Sequence, residues 1–169
     1  IDVSNPATAS VIGSVDTTGT AVDVALSSDD TTAYVADSLG GLRIIDLVTE
    51  TVTKTVATSG IAVSVTLSDD GLTAYVADSL GGLRIIDLVT ETVTNVATPG
   101  TAESVTLSDD GLTAYVADGV AGLQIIDLAT ATVTGTVATA GAAVSVTLDG
   151  STAYVVDGTY GLQIIDVTD

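Results

Sequence analysis

The 169 residues contain no cysteine, histidine, methionine, tryptophan or phenylalanine. Without cysteine there is no disulfide framework and no thiol chemistry. Without histidine as well, a Ser-His-Asp triad, a cysteine nucleophile and an ordinary zinc site are excluded. Basic residues are limited to Arg43, Lys54 and Arg84, against 22 acidic ones, for a formal net charge of −19. Such a field repels nucleic acid and anionic membrane surfaces and attracts cations. The longest apolar runs are about five residues, far short of a bilayer-spanning helix. No P-loop and no GxGxxG follows a strand before a helix. The acidic pairs Asp29-Asp30, Asp69-Asp70 and Asp109-Asp110 fall in equivalent turns. Neighbours there point apart rather than flanking one substrate, so paired-carboxylate hydrolysis is not supported. No enzyme is expected. The chain opens mid-pattern without an initiator methionine, as a processed protein or a piece of a longer one does.

What is present is repetition. AYVADSLGGLRIIDLVTETVT occurs unchanged at Ala33–Thr53 and Ala74–Thr94, and weaker copies begin at Ala114 and Ala153. Tyr34, Tyr75, Tyr115 and Tyr154 mark a period near forty residues, which in strand-like sequence means stacked or circular β-units. Within one period Ala62–Leu67 (AVSVTL), Thr73–Asp78 (TAYVAD), Leu83–Leu88 (LRIIDL) and Thr92–Thr98 (TVTNVAT) read as strands separated by turn signals. AYVA and RIIDL are apolar on both faces and must be covered on both sides. The expected fold is all-β: a four-bladed β-propeller of four-stranded antiparallel blades in one domain, 1–169. The blades run over 19–58, 60–98, 100–139 and 141–169 plus 1–16.

The third-strand signature IID recurs at 44–46, 85–87, 125–127 and 164–166, and Ile1-Asp2 opens in the same phase. Ala9–Asp16 is therefore a fourth strand without its own first three, and the C-terminus supplies three strands without a fourth. Pairing Ala9–Asp16 beside Gly161–Val167 closes the ring and removes two open edges. The runner-up is an open half-ring that dimerises into eight blades.

Residues present in every blade are most simply explained by the blade. The four tyrosines pack; Asp37, Asp78, Asp118 and Asp157, like Asp46, Asp87, Asp127 and Asp166, cap loop amides; Gly41, Gly82, Gly122 and Gly161 supply backbone freedom. Candidate functional residues are those that differ between blades. Tyr160 replaces Gly40 and Gly81 in an exposed loop. Asp23 and Glu103 lie on first strands, which line a propeller's axial channel. Arg43 and Arg84 are expected to reach a carboxylate on the next blade. For cations, calcium above all, the weak candidates are Asp29, Asp69, Asp70, Asp109 and Asp110 in the turns, with Asp23 and Glu103. TVTKTVATSG at Thr51–Gly60 is one residue longer than TVTNVATPG at Thr92–Gly100, so a bulge is expected in one outer strand.

GLRIIDLVTET, GLQIIDLATAT and IDVSNPATASVIGSVDTTG resemble the LVIVD repeat, a propeller-forming unit of surface or secreted bacterial and archaeal proteins; SDDGLTAYVAD is similar to the YVTN-type repeats of surface-layer proteins. The resemblance implies a non-enzymatic structural or interaction module at the cell surface or outside the cell. It requires no cofactor, associates with protein or with itself, and can be the repeating unit of a filament. Two other readings stand beside it: a calcium or small-ligand binding propeller, and a designed repeat without biological function.

Overall fold

The computed structural model describes residues 8–168; Ile1-Asp2 lies outside them. Fifteen antiparallel strands form four sheets. Blade 1 holds β1 (Asp23–Leu26), β2 (Thr32–Ala36), β3 (Leu42–Asp46) and β4 (Thr51–Val56). Blade 2 holds β5 (Ser64–Leu67), β6 (Thr73–Ala77), β7 (Leu83–Asp87) and β8 (Val93–Val96). Blade 3 holds β9 (Ser104–Leu107), β10 (Thr113–Ala117), β11 (Leu123–Asp127) and β12 (Thr132–Val137). Among the described residues blade 4 has three strands, β13 (Ala143–Asp149), β14 (Thr152–Asp157) and β15 (Gly161–Asp166). Each blade is a meander in sequence order, as short turns between adjacent strands require.

The blades stack in chain order, and the core is distributed over their junctions. At the first junction Ala36, Leu42, Ile44 and Val56 of blade 1 meet Ala62, Val65, Ala74, Val76 and Ile86 of blade 2. At the second, Tyr75, Ala77, Leu83 and Val96 meet Ala102, Val105, Ala114, Val116 and Ile126. The third repeats the pattern with Tyr115, Ala117 and Leu123 against Ala143, Val146, Ala153 and Val155. Each blade therefore has a front face, turned to the next blade, and a back face, turned to the preceding one. This accounts for the strands that are apolar on both sides. Leu83, Ile86, Leu123 and Ile126 are fully buried, each such side chain contributing about 1.5–3 kcal/mol.

The length difference among outer strands has a plain origin. In blades 1 and 3 the register shifts between Ile44/Ile45 and Ile125/Ile126. Thr53 and Thr134 are the bulged residues, and their hydroxyls donate to the Ile44 and Ile125 carbonyls at 3.1 and 3.3 Å. Blade 2 pairs β7 with β8 without a shift.

Among the described residues the expected sixteenth strand does not form. Ala9–Asp16 does not pair beside Gly161–Val167, and β15 has β14 as its only strand partner. The segment is instead fastened to blade 1 at the opposite end of the arc. The Thr17 hydroxyl donates to Asp37 Oδ1 at 2.7 Å, and Arg43 Nη2 donates to the Thr18 hydroxyl at 3.0 Å.

Candidate interaction surface

The joints between blades rest on one buried carboxylate per blade. Asp37, Asp78, Asp118 and Asp157 each end a second strand or follow it directly, and all four are buried. Asp78 accepts from the Gly60 N–H at 2.8 Å, Asp118 from the Gly100 N–H at 2.8 Å, and Asp157 from the Gly141 N–H at 2.6 Å. The carboxylate thus ties down the linker arriving from the preceding blade. Arg43 and Arg84 complete this knot in blades 1 and 2, donating from Nε to Asp37 and Asp78 at 2.9 and 2.7 Å. The expectation that these arginines reach the next blade is corrected: each pairs within its own blade, because the loop folds Asp37 or Asp78 back over the third strand six residues later. Arg84 also donates to the Ser59 hydroxyl of the incoming linker. In blade 3 Gln124 takes the arginine's place, donating to the Ala121 carbonyl and accepting from the Thr136 hydroxyl. Left without a cation, the Asp118 carboxyl is pushed up by burial, against the opposing bonds from Thr98 and Gly100.

The cation candidates do not come together. Asp29, Asp70 and Asp110 occupy equivalent positions in exposed turns and accept the hydroxyls of Ser27, Ser68 and Ser108, all at 2.6 Å. Those bonds, with turn amides, hold the three carboxyls below the usual range. Asp69 and Asp109 are exposed one residue earlier. Asp23 is not a free channel ligand: its Oδ2 accepts the Val65 N–H of blade 2 at 2.9 Å, the role that Ser104 Oγ plays for Val146 at 3.4 Å. Glu103, expected on a first strand, is corrected to the linker one residue before β9, where it is half-buried. Among the described residues no three acidic side chains gather as a metal site. Tyr160 is exposed, as expected.

The surfaces that stand out are the two ends of the arc. On the front of blade 4, Leu162 and Ile164 are 56% and 67% exposed, whereas Leu42, Leu83 and Leu123 at the position of Leu162 are wholly buried. On the back of blade 1, Val24 is 56% exposed, whereas Val65, Val105 and Val146 are 6% exposed. Beside it a cleft of about 530 Å³ opens between the N-terminal segment and the blade, lined by Ile12, Val15, Ala21, Val35, Leu47 and Glu50 among others. Each end presents one half of a junction that the chain builds three times internally. Sequence reasoning singled out charged and odd residues and passed over these faces, because their residues are the same as the buried ones. The signal that bears on them is the complementary phase of the two termini, a lone fourth strand at one and three strands without a fourth at the other, which also underlies the open half-ring alternative.

The LVIVD repeat matches residues 1–17, 18–48, 59–106, 99–131 and 140–169. No curated protein matches the chain. Among solved structures, one titled Kuenenia stuttgartiensis Hydrazine Synthase superposes with a TM-score of 0.81 at 19% identity over 94% of this chain and 50% of that one. At that identity the likeness shows a shared β-propeller-like fold and nothing of activity, and the chain spans half the length of the one it matches. With matches covering most of its length, this chain belongs to the LVIVD repeat family.

Proposed function

We propose that the chain is a non-enzymatic interaction module of a cell-surface or extracellular protein, working within a closed propeller ring whose end faces are covered by association. The observation that carries this is the pair of apolar ends, front of blade 4 and back of blade 1, each equivalent to a buried junction face. Exposed contiguous apolar faces of this kind mark association sites in soluble proteins. The surface location rests on the resemblance to surface-protein repeats. Sedimentation of the full chain over a wide concentration range tests the association. It should populate species heavier than one chain, and Leu162→Asp should return them to the monomer with the strand content unchanged. A chain that stays monomeric throughout removes this reading.

The second reading is cation binding, favoured by the charge census. All three basic side chains are already paired, Arg43 with Asp37, Arg84 with Asp78 and Lys54 with Glu91. The 22 acidic residues exceed the three basic ones by 19, and each basic side chain is engaged by a carboxylate of the described residues.

A further inference from the structure

We propose that two copies of this chain close one eight-bladed ring, in which Ser10–Val15 of each copy is the outer strand of the other copy's fourth blade. The proposal deepens the interaction-module reading and rests on it.

The donor segment already sits where a preceding blade's outer strand would end. Val15 packs against Ala33, Val35 and Ile45 of blade 1. Val56, the last residue of β4, packs in the same way among Ala74, Val76 and Ile86 of blade 2. The residues that follow enter their blades alike. Thr17 donates to Asp37 as Thr98 donates to Asp118, both at 2.7 Å, and Arg43 holds Thr18 as Arg84 holds Ser59. The sequence agrees: SVIGSV at 10–15 matches TVTGTV of β12, with Gly13 in the place of Gly135.

The acceptor is β15. In blades 1 to 3 the third strand pairs with an outer strand, and Leu42, Leu83 and Leu123 stand opposite Val56, Val96 and Val137. The preceding glycines, Gly41, Gly82 and Gly122, have φ of 74–80°, and a Cβ on each would lie 2.3–2.4 Å from the carbonyl oxygen of that valine. Gly161 has the same backbone, φ 81°, yet a Cβ there would meet nothing within 4 Å. Blade 4 thus carries the glycine that accommodates an outer-strand carbonyl without carrying the strand. Laying 10–15 on β15 as β12 lies on β11 sets Val15 opposite Leu162 and Ser10 opposite Asp166, with Ile12 at the bulge.

The strand comes from a second copy rather than the same chain because, with the segment held at blade 1, β15 of the same chain has no outer strand among the described residues and both end faces of the arc stand exposed. In the pair, each copy gives and receives one strand. The front of blade 4 covers the back of blade 1 twice, the heterologous contact closes, and no sheet edge created by the missing strand remains.

The cysteine-free chain suits a cross-linking test. Val15→Cys and Leu162→Cys in one chain, oxidised after assembly, should give a species of twice the chain mass that reverts on reduction. Mixing the two single variants should give a mixed pair joined by one disulfide. Independently, the otherwise unchanged chain lacking residues 1–15 should fall from the double to the single mass with its β-sheet circular dichroism retained. A disulfide within one chain, or a ladder of longer species, overturns the two-copy ring. Association that survives the deletion, with no cross-link, overturns the strand exchange and leaves the interaction-module reading standing. A monomer under every condition overturns both.

Discussion

At the scale of single residues, the buried carboxylates of the joints are the most consequential side chains outside the apolar core. Asp78 and Arg84 are both buried, and removing one partner of such a pair leaves an uncompensated charge, at a cost of about 3–5 kcal/mol. Arg84→Ala is therefore expected to cost that much in chemical denaturation. Arg84→Gln should cost less than half as much, because blade 3 is built with Gln124 at this position and its Asp118 is held by Thr98 and Gly100. In blade 2 the corresponding Thr58 Oγ1 and Asp78 Oδ1 are buried and lack a hydrogen-bond partner, so a rotation of the threonine can supply the missing bond. Equal losses for the two variants would show that the guanidinium's charge and hydrogen bonds, rather than its filling of the site, account for the stability. The presence of an aspartate in every blade was legible in the sequence and pointed correctly to a structural role. The arginine's partner was not, because the sequence does not show that the loop returns across its own third strand.

At the scale of the element, the strands and their order could be read from the alternation and turn spacing. The spacing of the four tyrosines divides the chain where the structure divides it. A bulge was legible as a one-residue difference in length, but the expectation that one outer strand carries it is corrected. Two do, at Thr53 and Thr134, and the shorter β8 shows that the bulge is dispensable to a blade. Deleting Thr53 should accordingly be tolerated, with a loss of about 1 kcal/mol or less, read as a small shift in the denaturant midpoint with an unchanged slope. A large loss would mean that the bulge positions Val52 or Lys54 for a contact that blade 2 does without. The ends of the arc were not legible for a physical reason. GLQIID in blade 4 carries the same letters as in blade 3, and exposure depends on the neighbour rather than on the strand.

At the scale of the whole molecule, charge is the dominant feature beyond the fold. With a formal net charge of −19, self-repulsion opposes both folding and the approach of a second copy. Added sodium chloride should raise the thermal midpoint by screening. Calcium acting at much lower concentration than sodium chloride would support a specific oxygen-ligand site; a midpoint unmoved by either removes both the screening and the calcium readings. The repeated junction has one more consequence. Blades 1 and 2 share a stretch of 21 identical residues, Ala33–Thr53 and Ala74–Thr94, so an exchange of genetic material between the two stretches gains or loses one whole blade. Every joint in the product reuses the same junction positions, and both termini keep their phase. A chain can therefore change by one blade at a time during inheritance, and a ring of two copies by two, without a new kind of interface having to arise.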